Sequence, residues 1–278
     1  TQLDRHYVYV SRKASLKSDL PTAICLALEQ DYDSTQTSPS LNAETAHSDT
    51  YRRQAQIVRE LVNYILSLGY RVQVSGPEFY YGPLIPMFVA AGLGQLGTNG
   101  QLLSPHFGSR ARLQIILTNA KVKYDKPVDY GIHNFCRGCQ VCVSRCPGRA
   151  LTGQQIWYRG VEKIKLIFRR CRPVMARYSG CGICIKVCPI QRYGMKPVME
   201  HYVATGEVLG KETANLEGYV LPDKGYFGPR KLPQFSPEFF DMPRGKIEDR
   251  LLEKFKKKLQ QNEGHEESGE AHLWAEFR

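Results

Sequence analysis

Apolar positions in the N-terminal half of the chain fall into short blocks separated by polar turns. "PTAICLALEQ" (21–30) is an unbroken apolar run bounded by Pro21 and Asp31, and it predicts a buried strand. The stretch that follows, "DYDSTQTSPSLNAETAHSDT" (31–50), is polar and turn-rich and reads as a long loop of the kind that carries function. From Asp49 the period changes. Ile57, Val58, Leu61, Val62, Ile65 and Leu66 recur at helical spacing and Gly69 supplies a stop, so a helix is expected over "DTYRRQAQIVRELVNYILSLGY". "RVQV" (71–74) predicts a short strand, "PLIPMFVAAGLG" (83–94) a short apolar helix ending in glycines, and "ARLQIILT" (111–118) another strand. This alternation predicts a mixed α/β layer. Residues 195–245 are rich in proline, glycine and aromatics and read as an irregular wrap. "IEDRLLEKFKKKLQQ" (247–261) reads as a short basic amphipathic helix, and "NEGHEESGEAH" (262–272) as a flexible acidic tail.

Between these halves the pattern is dominated by cysteine. The chain has 278 residues and nine cysteines. "NFCRGCQVCVSRCPGRA" (134–150) spaces Cys136, Cys139, Cys142 and Cys146 as Cys-x2-Cys-x2-Cys-x3-Cys-Pro. A second group holds Cys171, Cys181, Cys184 and Cys188. Disulfide frameworks belong to short secreted chains, and this one is long and apolar enough to build a core without them. Zinc ribbons also use Cys-x2-Cys pairs. The full spacing, however, is that of bacterial ferredoxins, in which the fourth cysteine of each run ligates the other cluster. That rule gives a first [4Fe–4S] cluster Cys136, Cys139, Cys142 and the distant Cys188. A second takes Cys181, Cys184, Cys146 and, as its fourth thiol, Cys171. Cys171 stands ten residues before Cys181, a departure that implies a loop insertion. Pro147 and Pro189 turn the chain away after each run. Cys25, inside an apolar strand, is an inert buried thiol.

Charge and hydropathy add limits. The formal net charge is +11, concentrated in "KIKLIFRRCR" and "RLLEKFKKKLQ", which read as solvated faces rather than a nucleic-acid surface. No run of eighteen apolar residues is present, so no membrane-spanning helix is predicted. "GLGQLG" (92–97) matches Gly-x-Gly-x-x-Gly, yet a helix precedes it and a loop follows, the reverse of a dinucleotide fingerprint. Its glycines mark backbone that turns with positive φ or lies against something flat.

Several of these stretches together resemble the corrinoid-dependent reductive dehalogenases: "DYDSTQTSPS", "VSGP" (74–77), "AGLGQLGTNGQLLSPHFGSRARL" (91–113) and both cysteine groups, in the family's order, over roughly residues 20–195. The tRNA-modifying epoxyqueuosine reductases share a version of the glycine loop and fit less well elsewhere. The resemblance implies an α+β chain. A nitroreductase-like corrinoid domain would occupy 1–130, a two-cluster ferredoxin module 131–195, and a C-terminal extension 196–278. It implies a base-off cobamide near Gly92, Gly94, Gly97 and Asn99, reduced through two [4Fe–4S] clusters, and reductive cleavage of a small organohalide. Partners would be an electron donor (ferredoxin, flavodoxin or a quinol-linked protein) and a membrane-anchor or completing subunit, with no nucleic acid. The location would be the outer face of the cytoplasmic membrane or the cytoplasm.

By alignment with the family's motifs, Tyr51 becomes the proton donor and Arg110 the basic residue that favours its phenolate. A free tyrosine, with pKa about 10, is a poor acid at neutral pH without such help. By spacing alone Tyr51 is an ordinary aromatic in the first turn of a helix, and Arg110 equally a corrinoid-amide or surface contact. Three departures stand out. Pro77 replaces an asparagine of the family. Thr50 replaces the glycine before the tyrosine. "EFYYG" (78–82) is longer than its equivalent, so that Glu78, Tyr80 and Tyr81 enter the pocket and either tyrosine competes with Tyr51. The family's long preceding region is also absent, which leaves open a fragment, a completing subunit, or an electron-transfer subunit without corrinoid.

Overall fold

The structure, a computed structural model, describes residues 1–9, 20–74, 81–158 and 161–241. Strand β1 (Thr22–Glu29) ends at Asp31, whose carboxylate accepts from the Ser34 amide at 2.8 Å and starts α1 (Tyr32–Gln36). Ser40 caps α2 (Leu41–Ser67) by accepting from the Ala43 amide at 3.1 Å. The long loop expected up to Asp49 is therefore mostly helix. Its buried face is Ala43, Thr50, Gln54, Val58 and Ile65, so helical spacing holds from the start, but the early inward positions are small or polar and hide the period. Tyr51 consequently lies well inside α2, not in its first turn.

β2 (Val72–Val74), α3 (Leu84–Ala90), β3 (Gln95–Leu96), β4 (Leu102–Leu103) and β5 (Ala111–Thr118) complete the first half. β5 is central in the order β1-β5-β2, antiparallel to both neighbours, with Thr22 opposite Thr118 and Glu29 opposite Ala111. Its side chains alternate faces. Ile115 and Leu117 join Met87 and Phe88 of α3, while Ile116 meets Val58 and Ile65 of α2. The sheet is thus a thin layer between two helices. Cys25 packs on the α3 side, and burial pushes its thiol up to about 12, that of an inert group.

The second half runs through α4 (Ile132–Cys139), α5 (Val141–Ser144), the hairpin β6 (Leu151–Tyr158) and β7 (Val161–Leu166), α6 (Phe168–Arg177), α7 (Ile183–Lys186) and α8 (Pro189–Tyr193). It continues with α9 (Met195–Thr205), α10 (Ala214–Glu217), β8 (Tyr219–Leu221) and β9 (Gly225–Phe227). The expected loop insertion before Cys181 is helical, with Cys171 inside α6. The expected irregular wrap after 195 contains α9. Pro197 sits in its first turn, where a missing N–H costs no hydrogen bond, and left-handed Gly206 ends it.

One core unites this half. Ile132, Phe135, Val141, Val174, Ile183 and Val198 pack with Tyr219 and Leu221, and Phe235, Phe239 and Phe240 close over it. Leu103 of β4 belongs to the same core and ties the two halves together. Among the described residues no helix is long and apolar enough to cross a membrane. Pro77, Glu78, Tyr80, the basic 247–261 segment and the acidic 262–272 segment lie outside the described residues.

Candidate metal centre

Left-handed Gln140 (φ 53°) breaks the chain between α4 and α5, and its side-chain amide donates to the Cys136 carbonyl at 2.9 Å. The break turns Cys142 back toward Cys136 and Cys139. Cys188, at the start of α8, arrives from the second cysteine group. These four thiols line one hollow together with Phe135, Leu103, Thr98 and Asn99.

The other four sit within reach of one another's charge. Cys184 is influenced by Cys181, Cys146 and Cys171, and Cys171 by Cys146. Cys142 is reached by Cys184 as well as by Cys188, Cys139 and Cys136, so the second group adjoins the hollow lined by the first. At the second set the backbone is strained. Ser179, Gly180, Cys181 and Gly182 all have positive φ (46°, 81°, 60° and 72°), two of them non-glycine. The Glu44 carboxylate packs on Gly180 and the Ser38 hydroxyl on Gly182, so α2 and the loop before it press this turn into place.

Burial raises nearly all of these thiols. Cys139, Cys181 and Cys188 reach about 12 and Cys171 about 11, while Cys142 and Cys184 are driven higher still. Thr98 partly opposes the effect at Cys136 by donating to its sulfur. Buried, neutral thiols are poor ligands, and they become thiolates only against a strong positive charge brought into the site. Among the described residues, no three His, Cys, Asp or Glu side chains converge tightly enough for a single ion. Sulfurs that ring a hollow fit a multi-atom iron–sulfur group better than one zinc, which draws its thiolates to about 2.3 Å. The residues lining this hollow fit such a group.

Arg145, between Cys142 and Cys146, went unnoticed in the sequence. It is 1% exposed. Its guanidinium donates to the carbonyls of Glu217 at 3.2 Å, Phe227 at 3.1 Å and Lys231 at 2.6 Å, and lies 4.9 Å over the Tyr219 ring. The Glu217 carboxylate, itself buried, stands 3.9 Å away. No local pattern signals this, because every partner lies more than seventy residues further on.

Tyr51 is half-buried on α2. One turn earlier, the His47 ring lies 5.0 Å from it, with Glu44 3.3 Å from His47 Nδ1. Burial and the Arg112 charge hold His47 below its ordinary value, against the pull of Glu44. The guanidinium over the Tyr51 ring, at 5.2 Å, is that of Arg112, which also donates to Gln30 at 2.8 Å. Arg110 instead pairs with Glu29, donates to the Phe107 carbonyl at 3.0 Å and covers Tyr32 at 5.1 Å. The two arginines stand two residues apart at the start of β5 and so share one face. Alignment with the family's motifs points to Arg110 alone. Tyr81 is engaged by Gln73, which donates to its hydroxyl at 2.6 Å.

The glycine loop is occupied by the chain itself. A Cβ on Gly92 (φ 69°) would lie 2.6 Å from the Lys126 carbonyl, and one on Gly94 2.3 Å from that of Leu103. A Cβ on Gly97 would strike the Leu103 side chain. Asn99 is buried, accepts from the Gln101 amide at 3.1 Å and donates to the Cys184 carbonyl at 3.3 Å, so it bridges the two thiol sets. These contacts are with the chain's own residues.

No family model matches the chain. In sequence it is 31% identical over 181 residues to a tetrachloroethene reductive dehalogenase of Dehalobacter restrictus, covering 60% of this chain and 32% of that protein. The same-named enzyme of Sulfurospirillum multivorans is 30% identical over 166 residues, covering 56% and 33%. An epoxyqueuosine reductase of Lactococcus garvieae is 37% identical over 130 residues, covering 40% and 33%. Among solved structures, a catabolic reductive dehalogenase in complex with 3-bromo-4-hydroxybenzoic acid superposes with TM-score 0.63 at 21% identity, covering 83% of this chain and 36% of that one. The mixed α/β fold is shared with it. The chain spans about a third of the length of these relatives.

Proposed function

We propose that this chain, a homologue of the reductive dehalogenases and more distantly of the epoxyqueuosine reductases, is the electron-delivering part of a corrinoid iron–sulfur oxidoreductase that removes halogen from a small organohalide. The observation that carries the reading is one hollow lined by thiols from both cysteine groups, Cys136, Cys139 and Cys142 from the first and Cys188 from the second. The pattern fits two [4Fe–4S] clusters in a ferredoxin-like module over 131–195. The first half, 1–130, would then be part of a nitroreductase-like domain, and 196–278 an extension over the module. When bound, the clusters supply single electrons. The protein supplies burial, thiolates and the Asn99 bridge between the sets.

At the other end, Tyr51 holds the proton. Its phenolic O–H is the donor to a carbon left electron-rich when halide departs, and the always-charged Arg112 offsets the phenolate that remains. His47, held neutral by its burial, lies beside it. A cobamide is proposed from the relatives, one of which is described as catalysing B12-dependent dehalogenation. An electron donor such as a ferredoxin, a flavodoxin or a quinol-linked protein would reduce the clusters. Attachment to the outer membrane face through an anchor or completing subunit is one placement, the cytoplasm another.

Anaerobically purified enzyme should contain about eight irons per chain together with cobalt, and release halide from an organohalide under reduction. Zinc in place of iron would overturn the reading. Iron without cobalt would leave the wiring and identify the chain as an electron-transfer subunit. The 37% identity to an epoxyqueuosine reductase supports a second reading, tRNA modification, which predicts tight, salt-sensitive binding of a tRNA stem-loop.

A further inference from the structure

Beyond the buried Arg145, residues 142–186 carry nine further basic side chains and a single acid, Glu162. Three of these, Arg169, Arg170 and Arg172, flank Cys171 in the first turns of α6. The turn after Cys146 lies against the same helix. Arg170 donates to the Arg149 carbonyl at 3.4 Å, and a Cβ on Gly148 would meet the Arg170 carbonyl at 2.5 Å. Arg149 and Arg170, both exposed, thus share one surface. Ile167, Val174 and Tyr178 turn inward, and Cys171 sits at the seam, partly exposed. Phe168, three residues before Cys171, and Met175, four after it, lie one helical turn to either side at 54% and 41% exposed. Lone exposed apolar residues are ordinary. Here two of them bracket a cysteine at the centre of a basic patch, and aromatic, methionine and arginine side chains together are the composition of a protein–protein contact.

We propose that this face of α6, centred on Phe168 and Met175 and rimmed by Arg149 and Arg170, docks an acidic iron–sulfur carrier of the ferredoxin kind that reduces the second cluster beside Cys171. The inference rests on the two-cluster reading above and adds where the electron enters. Charge selects the partner, since a positive rim steers a protein whose redox group lies in an acidic patch and speeds their encounter. Arg177, at the far end of α6, is offset by Asp223 at 3.1 Å, so the pull is strongest at the end that holds Cys171. RNA would also answer to the arginines, but it gives no reason for an apolar centre at a cluster ligand. A small apolar centre suits a carrier that must leave after each transfer, as redox encounters bury less than about 1,200 Å². Each encounter passes one electron. The reduced carrier is oxidised by one, the cluster is reduced by one, and no bond or proton moves.

Rapid-freeze EPR of the full chain with its clusters tests this, with a reduced, acidic plant-type [2Fe–2S] ferredoxin as donor. Photoreduced deazaflavin, a small uncharged reductant, is the control. The wild-type rate with ferredoxin should fall as salt is raised. Arg149→Glu combined with Arg170→Glu should lower the low-salt rate about tenfold or more, with iron content and reduction by deazaflavin unchanged. Phe168→Ser should slow transfer at every salt concentration. Wild-type rates in both variants at full iron content, or an equal loss with deazaflavin, would overturn the proposal. If the double variant loses its iron, Phe168→Ser and the wild-type salt dependence decide, and a salt-independent rate overturns it. A tRNA stem-loop released by the charge reversal while ferredoxin kinetics hold would give the face to RNA. A rate that rises only on deleting the acidic 262–272 segment would give it to that segment, and either result overturns the proposal. Wild-type protein without iron would instead refute the two-cluster reading on which it stands.

Discussion

Arg145→Met is the perturbation whose size follows most directly from the structure. It keeps most of the side chain's bulk and deletes its charge. Three carbonyls, those of Glu217, Phe227 and Lys231, lose their donor, and the buried Glu217 carboxylate loses its nearest cation. Removing one partner of a buried ion pair costs about 3–5 kcal/mol, since the other charge stays desolvated. Orphaned carbonyls add to this, but the same rearrangement relieves them and the terms do not simply sum. At about 2–4 °C per kcal/mol for a chain of this size, the expected fall in Tm is about 6–20 °C. Arg145→Lys keeps the charge with a narrower reach and should fall between. Arg145→Met combined with Glu217→Gln should lose clearly less than the sum of the two single changes. The assay is anaerobic thermal unfolding by circular dichroism at matched iron content, with limited proteolysis of the 206–231 segment. A melting temperature within about 1 °C of wild type, with that segment still protected, would refute the argument that this buried cation clamps the extension to the cysteine module.

Four further outcomes follow. Tyr51→Phe and Arg112→Met should each lower dehalogenation by about 100- to 10,000-fold, the usual worth of a general acid, with iron content unchanged, while Arg110→Met should have the smaller effect; the reverse order would return the role to Arg110. Gly94→Ala should destabilise the fold by about 1–3 kcal/mol in urea unfolding, because its methyl would be driven into the Leu103 carbonyl, and a neutral result would mean the loop is looser than its contacts. His47, depressed in the fold by burial and Arg112 and facing Tyr51 and Glu44, contributes stability that is complete above pH 6.5 and declines as pH falls through its lower folded value. His47→Gln should therefore flatten the acid side of the stability profile, and an unchanged acid limb counts against this environment. Stripping iron with a chelator under reduction should lower Tm and raise thiol reactivity at Cys142 and Cys188 together, as both line the same hollow.

How much of this was readable from the chain depends on where each residue's partners lie. β1, β5 and α3 were legible because their apolar runs are short, bounded and locally consistent. Ferredoxin spacing alone suggests the division of thiols that is proposed. The start of α2 was not, since its early inward positions are Ala43, Thr50 and Gln54, and a small or polar inward face leaves no apolar period to count. α9 was hidden behind a proline that reads as a breaker until it falls in a first turn. Arg145 was invisible in principle, because a buried cation is defined by contacts across long separations. Choosing Arg112 over Arg110 for Tyr51 needed the register of β5 against β1, which fixes where each side chain reaches.

The central claim is that each cysteine run lends one thiol to the other's cluster. EPR and iron analysis of Cys188→Ser, beside Cys136→Ser and Cys181→Ser in anaerobically prepared protein, tests it most directly. Cys188→Ser should lose the same cluster signal as Cys136→Ser and keep the one that Cys181→Ser removes, with about four irons remaining. If Cys188→Ser instead matches Cys181→Ser, its own sequence neighbour, the exchange does not occur and the account fails.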